Sequence, residues 1–178
     1  MAIGLPGYEL RYIRYLKNMF CWHSNLTVTF VEKRVYLTPI EVPVRMSVDR
    51  VIVPFTTPVA GNIRAGIYRD NGNTPQDGAL IVESASVAKA GTNQKQEIVI
   101  AETQLEPGLY WLATLSDEST TVAYRSAGNF TVRGSVLAYY YDLGVYGLMT
   151  NPCPVVTDVS SLPIAFLRVA VVYQPPVP

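Results

Sequence analysis

The chain has 178 residues, 49% of them apolar and only 16% charged, and its 14 basic and 14 acidic residues balance to zero. That length suits one domain able to bury its own core without metal or disulfide staples. Low, balanced charge excludes long-range attraction to nucleic acid or to an anionic membrane, and no run of about 18 apolar residues is present to span a bilayer. A mean hydropathy of +0.18 fits either subunit contacts or a well-filled β-sandwich core with an average surface.

Residues 1–7 lack the basic start and apolar run of a secretory signal. Residues 8–19 fit two periods. Tyr8, Tyr12, Tyr15 and Met19 would line one face of a helix, whereas Tyr8, Leu10 and Tyr12 would alternate with Glu9, Arg11 and Ile13 in a strand. In either form Arg11, Arg14 and Lys17 make this arm the most basic part of the chain. Tyr12, Arg14 and Tyr15 are candidates for reaching a neighbouring subunit, the alternative being a solvated first element of the domain itself.

Short runs rich in Val, Ile, Thr and Tyr follow, each closed by Pro, Gly, Asn or Asp. They predict strands at 26–31, 34–37, 48–55, 62–69, 80–88, 96–101, 108–115, 122–126, 135–141 and 164–173, with no long helix. Pro39, Pro43 and Pro54 mark edges or strand ends, because proline cannot donate to a central ladder. The segment 70–78 is a surface loop. The expected organisation is an arm with the first strands over 1–43, a β-sandwich over 44–173, and a Pro-rich tail over 174–178.

Little in the sequence announces chemistry. His23 is the single histidine, which leaves no two-histidine metal site and one candidate base without a carboxylate beside it in sequence. No Gly-x-Ser-x-Gly elbow supports a hydrolase. Asp117 and Glu118 stand in a Ser-Asp-Glu-Ser turn and read as turn formers. Asp70, Asn71, Asn73 and Asp77 crowd oxygen atoms into one loop but lack the closing glutamate of an EF-hand, so Asx turns explain them better than calcium. Cys21 and Cys153 match no Cys-x-x-Cys spacing; a bridge between terminal strands and two separate buried thiols are both compatible with the sequence. Asn25-Leu-Thr and Asn129-Phe-Thr are formal glycosylation triplets. No cofactor is expected.

Aromatic residues offer the remaining candidate site. Period-two alternation puts Tyr139 and Tyr141 on one face and Tyr140 on the other. With Tyr146 they form the region best suited to an interface, since tyrosine serves where apolar and polar contact are both needed.

Two Gly-apolar-Tyr strands stand out, Ile63-Arg-Ala-Gly-Ile-Tyr-Arg-Asp and Leu105-Glu-Pro-Gly-Leu-Tyr-Trp-Leu-Ala. Together with Val48-Asp-Arg-Val-Ile-Val, Pro58-Val-Ala-Gly-Asn, Pro75 and Gly78-Ala-Leu-Ile, they resemble a β-sandwich domain of bacteriophage virion proteins, over about residues 44–173. The resemblance implies an all-β, jelly-roll-like antiparallel sandwich and a non-enzymatic place in the virion, as a capsid, decoration, spike or tail subunit. Its partners would be further copies of itself and other virion proteins. It carries over no catalytic residue. The alternative from another class is a carbohydrate-binding module for host glycans, with Tyr139, Tyr141, Tyr146 or Trp111 as stacking platforms.

Overall fold

A computed structural model describes residues 27–57, 60–72, 74–89, 95–126, 131–132, 135–136, 139–159, 161–163 and 166–172. The described elements are strands: β1 (Thr27–Phe30), β2 (Arg34–Val42), β3 (Met46–Thr57), β4 (Asn62–Arg69), β5 (Leu80–Glu83), β6 (Val87–Ala88), β7 (Lys95–Leu105), β8 (Gly108–Ser116), β9 (Thr120–Ser126), β10 (Thr131–Val132), β11 (Ser135–Val136), β12 (Tyr139–Asp142), β13 (Thr157–Asp158), β14 (Ser161–Pro163) and β15 (Phe166–Val172). They form an antiparallel β-sandwich. One sheet runs β1-β9-β3-β15, with β14 on β9 and β7 on β3; the other runs β13-β12-β2-β8-β4-β5, with β6 on β4. β10 and β11 pair only with each other among the described residues.

Between the sheets lies a core of Tyr36, Ile40 and Val42 from β2, Met46, Val48, Val51, Val53 and Phe55 from β3, and Ile63, Ala65 and Ile67 from β4. Ile98, Ile100 and Leu105 of β7 and Tyr110 and Leu112 of β8 complete it. Residues 27–42, grouped with the arm in the sequence reading, thus supply a strand to each sheet. Tyr12, Arg14 and Tyr15, with Cys21 and His23, lie outside the described residues.

The sequence shows why β3 bends. Val48 and Val51 both face the core although an odd separation of three residues breaks simple alternation, and the extra residue, Asp49, is passed over in the register against both β7 and β15. A bulge of this kind re-aims a side chain. Here the unpaired Asp49 reaches Arg168, whose guanidinium holds the Asp49 carboxyl below its ordinary range. With the Arg50–Glu97 and Ser47–Glu102 pairs, this laces the outer face of the first sheet with charge.

Three expectations are corrected. The strand expected over 80–88 divides into β5 and β6, because the Ser84 hydroxyl accepts the Ala65 N–H at 3.0 Å and donates to the Ala85 carbonyl at 2.8 Å, taking over the ladder's role. Of the strand expected over 135–141, the described residues belong to two elements with different partners, β11 on β10 and β12 on β2 and β13. Pro39 lies inside β2, not at its end. There it stands opposite Trp111 of β8. Pro54 falls where β3 passes from β15, paired up to Ile52, to β9, paired from Phe55.

Candidate interaction surface

The second sheet is buried on both faces. β8 reads Gly-Leu-Tyr-Trp-Leu-Ala-Thr-Leu-Ser, and every residue from Leu109 to Ser116 is buried. Alternate residues Leu109, Trp111, Ala113 and Leu115 leave the main core and join a second one with Val35, Leu37 and Tyr68 on the sheet's outer face. Antiparallel sheets usually leave one face to water. This one is roofed by the segment 143–156, which inserts Met149 and Cys153 into the second core and packs Leu143, Tyr146 and Val156 against it.

Hydrogen bonds fix the roof along its length. Leu143 N–H donates to the Lys33 carbonyl at 3.0 Å, Cys153 N–H to Gly78 at 2.9 Å, and Asp77 N–H to the Cys153 carbonyl at 2.8 Å. The Tyr68 hydroxyl donates to the Thr150 carbonyl at 2.6 Å, and Leu80 N–H to Asn151 Oδ1 at 3.0 Å. Met149 N–H donates to Glu83 Oε1 at 3.1 Å, a carboxylate that also faces the Arg64 guanidinium at 3.4 Å. Arg64 spends a second bond on the Ser84 carbonyl at 3.1 Å and lies 5.9 Å from the Tyr146 ring centre. Gly66 lies beneath the roof: a Cβ there would stand 3.0 Å from Met149 Sδ.

The tyrosines singled out by sequence converge on this roofed face, with Tyr140 on the opposite one, as alternation requires. Tyr139 is half-buried and meets Trp111 edge-on, ring centres 5.4 Å apart. Tyr141 is 4% exposed and its hydroxyl is 2.8 Å from that of Tyr68. Tyr146 is half-buried, with its hydroxyl 2.8 Å from Ser86 Oγ. Tyr141 and Trp111 therefore pack into their own chain and offer no ring face to a ligand. Cys153 is a free, buried thiol; burial, and then the charge of Asp77, push its pKa up to about 12.

What the roof presents outward was not singled out by sequence. Val145, Leu148 and Val155 are 75%, 72% and 77% exposed, the three highest values among the exposed large apolar residues described. Residues 143–156 contain no Asp, Glu, Lys or Arg, a signal the sequence did hold. This hydrogen-bonded, charge-free segment with outward apolar side chains is the candidate contact surface.

The oxygen-rich loop is structural. Asp70 Oδ1 accepts the Trp111 indole N–H at 2.9 Å, and Asn71 bonds back to Thr74 and Gln76. Among the described residues no group of three or more His, Cys, Asp or Glu could hold a metal ion, and no helix is long and apolar enough to cross a membrane. In comparisons with known proteins, the chain matches no family model, no curated protein and no solved structure.

Proposed function

We propose that this chain is a non-enzymatic structural subunit of a virus particle, a jelly-roll-like building block that associates with further copies of itself through the roof over its second sheet. The observation that carries self-association is the outward display of Val145, Leu148 and Val155 by a segment free of charge. Such a patch meets its own copy across a two-fold axis without like-charge repulsion, and burying one leucine side chain at such a contact contributes about 1.5–3 kcal/mol. The particle setting rests on the sequence resemblance, whose two Gly-apolar-Tyr segments are the neighbouring strands β4 and β8.

Sedimentation velocity over a concentration series tests the reading. The wild-type chain should associate, and Leu148→Asp with Val155→Asp should weaken association by tenfold or more, about 1.4 kcal/mol or above, with an unchanged unfolding temperature. A strict monomer at high concentration, together with absence from purified particles, would sink the proposal.

A further inference from the structure

One partly buried polar cluster plays no part in the roof. At the start of β4 and just past β6, Ala88 pairs with Asn62, and the next residue, Lys89, donates its N–H to the Gly61 carbonyl at 2.9 Å. The Lys89 side chain is 1% exposed. Its Nζ donates to the Glu118 carbonyl at 3.0 Å and stands 3.7 Å from Asp117 Oδ1. The same carboxylate accepts the Asn62 backbone N–H on Oδ1 at 2.6 Å and the Asn62 side-chain N–H on Oδ2 at 2.8 Å. One acid thus bridges an amine and a carboxamide.

Gly61 makes the room for this convergence. It has φ +129°, and a Cβ on it would collide with Asp117 Oδ1 and stand 3.2 Å from Lys89 Nζ. We propose that Lys89, Asp117 and Asn62 are a self-crosslinking triad, in which Lys89 Nζ forms an amide bond to Asn62 Cγ and ammonia leaves.

The step balances without a co-reactant. The Asp117 carboxylate takes a proton from the Lys89 ammonium, and the neutral amine adds to Asn62 Cγ. The second amine proton passes through Asp117 to the carboxamide nitrogen. The old C–N bond breaks, ammonia departs, and the new amide joins β4 to the residue following β6. The Asp117 carboxylate, which touches both groups, holds nucleophile and electrophile in one place.

An ordinary ion pair raises the pKa of its lysine. Here burial outweighs the attraction of Asp117 and Glu118, and the Lys89 amine stands below its usual value, which favours the reactive neutral form. Asp117 remains a carboxylate: burial pushes its pKa up, but the Asn62 hydrogen bonds and the Lys89 charge prevail and hold it low.

Intact-mass spectrometry of the denatured full-length chain, as purified and after prolonged incubation, tests the proposal. The expected mass is lower than that of the sequence by one ammonia, with a branched peptide joining Lys89 to Asn62 after digestion. Lys89→Arg and Asn62→Ala should both return the full mass while still unfolding cooperatively, and Asp117→Asn should slow the loss by at least tenfold. An unchanged mass in the wild-type chain would overturn the proposal and leave a buried ion pair. Loss of one water with the branch at Asp117 would equally overturn it.

Discussion

The hydroxyl pair beneath the roof makes an asymmetric prediction. Tyr68 has one hydroxyl proton and gives it to the Thr150 carbonyl at 2.6 Å, so the Tyr141 hydroxyl, 2.8 Å away, must be the donor to Tyr68. Tyr68→Phe therefore removes both an acceptor from a buried donor and the donor to Thr150. Thr150 is exposed and its carbonyl can turn to water; Tyr141, 4% exposed, cannot. A net hydrogen bond is worth about 1 kcal/mol and an orphaned buried group costs about 1–3 kcal/mol, which puts Tyr68→Phe at about 2–3 kcal/mol. Tyr141→Phe leaves the Tyr68–Thr150 bond in place and should cost about 1 kcal/mol. In a chain of this size each kcal/mol moves Tm by about 2–4 °C, so Tyr68→Phe should lower it by about 4–12 °C. The double variant orphans no donor and should cost less than the two singles combined, by about 1 kcal/mol. Calorimetry with urea unfolding measures all four corners of the cycle. Burial pushes the Tyr141 hydroxyl up to about 12 and Tyr68 higher still, so both stay neutral in the folded chain at pH 10 while their unfolded counterparts begin to ionise, and each Phe substitution should cost about 0.4 kcal/mol less at pH 10 than at neutral pH. Additive single effects, or a Tyr141→Phe cost above that of Tyr68→Phe, would refute the assigned direction of the bond.

Gly66→Ala should destabilise by about 1–3 kcal/mol, because the added methyl would stand 3.0 Å from both Met149 Sδ and the Val82 carbonyl; combining it with Met149→Ala in a urea-unfolding cycle should reveal favourable coupling. Cys153, buried and with its pKa pushed up to about 12, should resist thiol alkylation at pH 8 in the native chain and react on unfolding. Peptide mapping reads that position separately from Cys21, and native-state labelling at the rate of a free thiol would contradict the roof's closure.

Strand positions were legible because each rests on a local signal. Val, Ile and Tyr runs closed by Gly, Pro or Asn place β3, β4, β8 and β9 within two residues of their observed ends. The second core was written in β8, where apolar residues occupy both phases of the alternation from Leu109 to Leu115, as a strand covered on both faces demands. What covers that strand was not legible. The segment 143–156 has no period to read, and Trp111 is buried by chain that returns from more than thirty residues away. The two Gly-apolar-Tyr motifs show the same limit. They occupy neighbouring strands, yet Tyr68 faces the roof and Tyr110 the main core, because Tyr68 pairs with Trp111 and not with Tyr110. Lys89 and Asp117 meet only because Gly61 lets two chain ends approach, a tertiary fact with no spacing in sequence.

The roof also separates two demands that most core segments satisfy together. Folding requires Met149 and Cys153, which point into the second core, and the hydrogen bonds that hold the backbone down. It does not require Val145, Leu148 or Val155, whose side chains lie mostly in water and would be served as well by serine or threonine. Substitutions inside the roof should therefore move stability, and substitutions on its outer side should move association while leaving stability within about 0.5 kcal/mol. That division gives the outer residues a role beyond the fold, and it places the role on a charge-free segment of a molecule whose first sheet carries ion pairs on its outer face.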